Sequence, residues 1–323
     1  MSEDGMSARC GAEMAPDWRS GTSEEDAGAL LERCRAELAA ETPKVGRMFR
    51  EGMEAGEWTV MGFMARGGSS EVYCARRRRD GLTAVLKVLH REEEGPRKRF
   101  LREAAFLEGN PGAAFPAFYG AGETERRPWM ALERLEEYPL PEGDGAVAKY
   151  VLEVGEAVAA LHAKGWVHRD IKPANILRRE TDGRAVLADF GLLAELGGEP
   201  WSGEGLSVVN GRAVGVGTPG YAAPEQFCGG ELSARTDVFS LGVLVNRCFK
   251  GKPPAAWREI VLLAAHSQPE FRYESVEAMM HAIRERHEGK EKWRSESETW
   301  ARTAEHWARV AEGWLRKVEE TDR

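Results

Sequence analysis

The chain has 323 residues, 42% hydrophobic and 30% charged, with 45 Lys and Arg against 53 Asp and Glu for a net charge of −8. This is the composition of a globular protein large enough to bury a core without disulfide staples, and it excludes a mostly disordered chain. The acidic balance speaks against a nucleic-acid binder or an acidic-membrane binder, which would carry a basic surplus.

No apolar run approaches the ~18 residues of a membrane span; stretches such as Ile260 to Ala265 are ordinary core lengths. The acidic start, Met1 to Gly5, lacks the basic-then-apolar order of a signal peptide. Cys10, Cys34, Cys74, Cys228 and Cys248 form no C-x-x-C pair, and no H-E-x-x-H string occurs. Free thiols in a reducing cytoplasm are therefore expected, with neither a disulfide frame nor a zinc site.

In chain order, residues 1–22 are expected to be disordered and residues 23–56 to form a helical extension. A capping box at Thr22 to Glu25 opens its first helix, whose apolar face is Leu30, Cys34 and Leu38 and which Pro43 should break. Strand patterns follow at Trp58 to Met64, Glu71 to Arg76 and Thr83 to Leu89, the last two flanking an Asp80-Gly81 hairpin tip. The four-arginine run Arg76 to Arg79 beside it reads as a solvated tip. An amphipathic helix carries Phe100, Leu101, Ala104 and Leu107, another strand covers Trp129 to Leu132, and the pattern then turns helical.

From Glu291 to Val318, Trp293, Trp300, Trp307 and Trp314 recur every seven residues, with Ser297, Ala304, Ala311 and Val318 at the other seam position. Glu298, Glu305 and Glu312 each precede an arginine by four residues, the favourable polarity for helical ion pairs. A heptad helix over residues 290–320 is expected, either joining chains as a coiled coil, the reading the regularity favours, or packing on its own chain.

The sharpest string is His168-Arg169-Asp170-Ile171-Lys172-Pro173-Ala174-Asn175, followed fourteen residues later by Asp189-Phe190-Gly191 and then by Ala223-Pro224-Glu225. Taken singly, Asp170 or Asp189 reads as a surface carboxylate or helix cap. In this order, after a Gly-rich hairpin and the lysine string Ala84-Val85-Leu86-Lys87, they resemble the eukaryotic-type serine/threonine protein kinase family. Tyr221-Ala222-Ala223-Pro224-Glu225-Gln226 looks most like its bacterial members. The resemblance implies an α+β, two-lobed kinase fold over residues 57–285, with a β-rich N-lobe at 57–133 and a mainly helical C-lobe at 136–285.

It also implies roles. Asp170 orients the substrate hydroxyl and takes its proton, Lys172 holds the γ-phosphate, and Asn175 and Asp189 ligate Mg²⁺ (or Mn²⁺). Lys87 binds the α- and β-phosphates of ATP and pairs with Glu103. The nucleotide loop departs from the family pattern G-x-G-x-x-G-x-V: Gly67 is kept, while Ala65 and Ser70 replace the outer glycines, which should reshape the cover over the phosphates. Val72 and Ala84 would roof the adenine, with Leu132, Glu133 and Leu135 as gatekeeper and hinge. Lys172 and Thr218 favour Ser/Thr acceptors in a protein substrate. Arg169 suggests control by activation-loop phosphorylation, with Ser202, Ser207 and Thr218 as candidate sites. Asp237 matches the buried anchor of the catalytic loop, and Arg272 the partner of Glu225. Only 35 positions separate Asp237 from Arg272, so the helix usually called αG is missing or vestigial. The alternative function is a pseudokinase-like nucleotide-binding scaffold assembled through the heptad tail; a small-molecule phosphotransferase would lack Ala223-Pro224-Glu225 and the Thr218 loop.

Overall fold

The computed structural model describes residues 47–197, 207–209, 212–214, 217–228 and 231–287. The expectations for residues 1–46, for Ser202 and for the 290–320 heptads lie outside the described residues. The chain divides into two compact units: one runs to Arg97 and resumes at Tyr119–Leu132, and the other takes Lys98–Phe118 and everything from Glu133.

The first unit is built on a six-stranded sheet of order β1-β2-β3-β4-β6-β5. Its strands are β1 (Glu54–Ala55), β2 (Trp58–Arg66), β3 (Ser70–Arg77), β4 (Thr83–Leu89), β5 (Phe118–Thr124) and β6 (Arg127–Glu133). Period-2 alternation puts Trp58 and Val60, Tyr73 and Ala75, and Ala84, Leu86 and Val88 into one buried cluster with Phe49, Ala55 and Trp129. The β3–β4 tip is closed by Arg77, which donates to both carboxylate oxygens of Asp80 at 2.9 and 2.7 Å. Those bonds hold the Asp80 carboxyl down at about 2. Arg78 donates to the Gly56 carbonyl at 2.9 Å and Arg79 lies 3.6 Å from Glu57, so Arg77 is paired within the tip and Arg78 and Arg79 with the neighbouring β1–β2 turn.

The expected helix is not found over residues 47–56. Gly52 and Gly56 take positive φ (80° and 57°), and β1 pairs with the start of β2. Burial of Phe49 in the sheet's core outweighs local helix preference here.

Helix α1 (Glu94–Gly109) carries Pro96 in its first turn, where a missing N–H costs nothing, and buries Phe100, Glu103, Ala104, Phe106 and Leu107. Leu101 stays half exposed. By its contacts most of this helix groups with the second unit, although the resemblance had placed it in the smaller lobe. The second unit's frame is α2 (Asp144–His162), α3 (Glu225–Cys228), α4 (Ala234–Cys248), α5 (Ala255–Ala264) and α6 (Val276–His287). Val147, Val151, Val154, Val158 and Leu161 recur at helical spacing on the buried face of α2. That face packs on α4 and α6, and α5 packs on α4. Between α2 and α3 run short strands: Trp166–Val167, Ile176–Arg178, Ala185–Leu187, Ala194–Glu195, Ser207–Val209 and Arg212–Val214. Six residues join α4 to α5, and no helix lies between them. Among the described residues, no helix is long and apolar enough to cross a membrane.

Candidate active site

The Gly67–Ser70 turn joins β2 to β3 and is closed by Gly67 N–H donating to the Ser70 carbonyl at 2.8 Å. Its other carbonyls are held by residues just after β4. The His90 N–H donates to Ser69 at 3.0 Å, its Nε2 lies 3.1 Å from the Gly67 carbonyl, and Arg91 donates to Gly68 at 3.1 Å. Ala65 pairs with Val72, and Val72 with Lys87, so the three share one face across β2, β3 and β4. Ser70 is buried at the start of β3, opposite Leu89.

Ala84 departs from the expectation. It is an odd number of positions from Lys87, so the pleat turns it to the opposite face, into the core beside Leu86 and Val88. Val85, opposite Cys74, is the residue that shares the face of Lys87. Lys87 belongs to the first unit and Glu103 to the second.

In the second unit, the loop from His168 to Asn175 gathers around Asp170. Its Oδ2 accepts from Lys172 Nζ at 2.7 Å and from Asn175 Nδ2 at 2.9 Å, and its Oδ1 accepts from the Thr218 hydroxyl at 2.6 Å. Lys172 also donates to Thr218 Oγ1 at 2.7 Å. Asn175, in the one-turn helix Pro173–Asn175, also donates to the Asp170 carbonyl at 2.9 Å. Its amide nitrogen is thus committed to Asp170, which makes its oxygen the atom suited to a hard cation. Thr218 gives its hydroxyl hydrogen to Asp170 and so sits, half-buried, within this cluster. Ser207 lies in a strand whose backbone pairs with Val214.

The loop is anchored from below. Asp237, fully buried on α4, accepts from the backbone N–H groups of His168 at 2.8 Å and Arg169 at 2.9 Å, and lies 2.8 Å from His162 Nε2. Burial alone would raise this carboxyl, but the His162 and His168 contacts outweigh it and hold it below its ordinary range. Burial lowers His168, against the pull of Asp237, Asp170 and Asp189. Its Nδ1 accepts the Asp170 N–H at 3.3 Å and its Nε2 lies 3.2 Å from the Ala188 carbonyl, the pattern of a neutral ring. Arg169 is buried with φ of 71°, and burial, only partly offset by Asp237, lowers its guanidinium below the usual value.

Asp189 has φ of 61°. The next residue, Phe190, packs on Phe106 at 5.0 Å, His168 at 5.2 Å and Phe115 at 5.4 Å, and its N–H donates to Glu103 Oε1 at 3.2 Å. A Cβ at Gly191 would stand 3.4 Å from Asp189 Oδ1 and 3.8 Å from Glu103 Oε2, so both carboxylates face this turn. Leu132 is buried. The Glu133 N–H donates to the Ala117 carbonyl at 2.8 Å. Its carboxylate is forked by Arg179 at 2.7 and 2.9 Å, and Arg179 also donates to the Ala113 and Phe115 carbonyls at 2.8 and 3.1 Å. Arg179 was not expected from sequence, because one arginine in a polar turn carries no local signal. Arg134 and Leu135 follow Glu133 outside regular structure. Glu225 is held by Arg272 through paired bonds of 2.7 and 2.8 Å, with side-chain exposures of 6% and 0% that mark a fully desolvated ion pair.

Residues 58–316 match the protein kinase domain family. The chain is 34% identical over 212 residues to the DNA damage-responsive serine/threonine-protein kinase RqkA of Deinococcus radiodurans, covering 62% of this chain and 30% of that protein. It is 28% identical over 320 residues to the serine/threonine-protein kinase Pkn1 of Myxococcus xanthus, covering 86% of this chain and 43% of that protein. The chain therefore spans less than half the length of either. In fold, it is similar to the crystal structure of the Mycobacterium tuberculosis PknI kinase domain, with a TM-score of 0.57 and 23% identity over 74% of this chain and 99% of that one.

Proposed function

The chain belongs to the protein kinase domain family, and on that premise we propose that it transfers the γ-phosphoryl group of ATP, with Mg²⁺ or Mn²⁺, to serine or threonine hydroxyls of a protein. The observation that carries this reading is the Asp170 carboxylate, ringed by Lys172, Asn175 and Thr218 at 2.6–2.9 Å. ATP supplies the phosphoryl group, and the divalent ion neutralises its charge.

The donor set suits that group. Magnesium is held by one or two protein oxygens together with substrate phosphates, and Asn175 and Asp189 offer such oxygens. Asp170 orients the acceptor hydroxyl and takes its proton. The acceptor oxygen bonds to phosphorus while the bond to the bridging oxygen breaks, and ADP leaves with that electron pair. Lys172 balances charge beside Asp170, and Lys87 holds the α- and β-phosphates. In the second unit Glu133 and Leu135 are assigned the hinge backbone, and in the first unit Val72 and Val85, on the face of Lys87, are assigned to apolar contact with nucleotide. Arg169 is assigned to a phosphorylated activation loop.

The tail from Glu291 to Val318 is assigned to self-association, on its tryptophan heptads alone. Cys74 and Cys248 are unpaired thiols, in keeping with a cytoplasmic setting.

Intact mass after incubation with Mg-ATP tests the proposal. Added phosphates are expected in the wild type and none in Lys87→Ala. A nucleotide-binding wild type that gains none would overturn autophosphorylation and favour the scaffold.

A further inference from the structure

Glu71 stands between Ser70 and Val72, directly beside the nucleotide loop, yet its carboxylate points to the core face and is fully buried. A buried carboxylate must be paired, because desolvation costs several kcal/mol. Glu71 Oε2 accepts from the Met48 backbone N–H at 2.9 Å and from the Tyr73 hydroxyl in a short bond. Its Oε1 faces the Arg66 guanidinium at 3.3 Å. The Tyr73 hydroxyl in turn accepts from the Phe49 N–H at 2.9 Å. The Glu71–Tyr73 pair thus reads two successive backbone N–H groups of the segment that precedes the sheet. Phe49 fills the adjoining apolar slot against Tyr73, at 5.8 Å between rings, and Arg47 lies 4.7 Å over Phe63. This arm stands before residue 58, where the family match begins.

Arg66 and Glu71 are also cross-strand partners, and together they form the neck of the Gly67–Ser70 turn. One carboxylate therefore serves two clients, the arm and the loop neck. If the arm lifts away, Glu71 loses a donor and must recruit another from Arg66 or water, and the neck shifts with it.

We propose that Glu71 and Tyr73 are a receptor for residues 47–49, and that the seated arm positions the nucleotide loop for Mg-ATP. Both are positioning residues, acting through the loop, and the inference rests on the kinase reading above. Linkage makes the coupling reciprocal: bound nucleotide must also hold the arm down.

The test is backbone hydrogen exchange across residues 47–53 in the full chain, with and without Mg-ADP, together with Mg-ADP affinity. Nucleotide is expected to slow exchange at Met48 and Phe49 by roughly three- to tenfold, the range of one hydrogen bond. Tyr73→Phe keeps the ring and removes the hydroxyl; it is expected to weaken Mg-ADP binding by a similar factor and to abolish the nucleotide-dependent protection. Glu71→Gln, which keeps the shape and one acceptor oxygen, should fall between. Unchanged exchange in a wild type that binds Mg-ADP overturns the coupling and leaves the kinase reading standing. A wild type that binds no Mg-ADP overturns both. The wild-type comparison decides the matter even if a variant fails to fold.

Discussion

Thr218 gives its hydroxyl hydrogen to Asp170 and accepts from Lys172, so a single oxygen fixes both groups of the proposed phosphoryl transfer. Removing it leaves Lys172 with one partner fewer and lets the Asp170 carboxylate turn. Thr218→Ala is expected to lower the maximal phosphorylation rate by about 10–100-fold, the worth of one charge-assisted bond. Thr218→Ser should restore most of it, and initial rates at saturating ATP would check both. At this scale the sequence was legible wherever spacing alone carries the chemistry: Asp170, Lys172 and Asn175 lie within six residues and meet as neighbours. It was illegible where a partner is remote. Arg179 reaches Glu133 across 46 positions and Met48 reaches Glu71 across 23, and neither contact leaves a periodic trace. Ala84 was misread for a simpler reason, the parity of the pleat: a residue three before Lys87 on a strand cannot share its face.

Among the elements, α4 and the end of α5 are in close contact at Gly242. A Cβ there would stand 2.6 Å from Ala264 Cβ and 2.9 Å from the Ala265 backbone nitrogen, neither of which can yield without moving a helix. Gly155 on α2 also lacks room, but its obstacles are side-chain atoms of Met280, Sδ at 2.6 Å and Cγ at 2.8 Å, which can turn about χ angles without moving backbone. Gly242→Ala is therefore expected to cost about 1–3 kcal/mol of stability, and Gly155→Ala clearly less. Urea unfolding of the two variants side by side checks the order. The strands β2, β3, β4 and β6 and the helix α1 followed from hydrophobic period, because each buries one face, whereas β5 and the short strands between α2 and α3 carry too few residues in alternation to show one. The stretch 47–56 did not follow from it either, since Phe49 is drawn into a core assembled from strands later in the chain, although Gly52 and Gly56 were visible signs against a helix.

For the molecule as a whole, acid should act first through His168. Its folded value lies below the ordinary 6.5, so beneath that pH the unfolded chain takes a proton that the folded chain refuses. Its contribution is fully present above 6.5 and is lost on acidification, by at most about 1.4 kcal/mol per pH unit. Asp237, also lowered, keeps its contribution until pH falls below the ordinary 3.8 and loses it through the folded value beneath. Unfolding free energies at pH 7, 6 and 5 should decline, and His168→Asn should show the shallower slope. The buried Glu225–Arg272 pair is a second whole-molecule lock: Arg272→Ala is expected to cost about 3–5 kcal/mol by stranding Glu225, read as a shift of the urea midpoint. The arm at residues 47–49 has a practical consequence for anyone expressing this domain. A recombinant fragment cut where the family match begins, at Trp58, would bare the slot of Phe49 beside Tyr73 and Trp58 and leave Glu71 short of a donor. Such a fragment should be stickier and recovered in lower yield than one begun a dozen residues earlier.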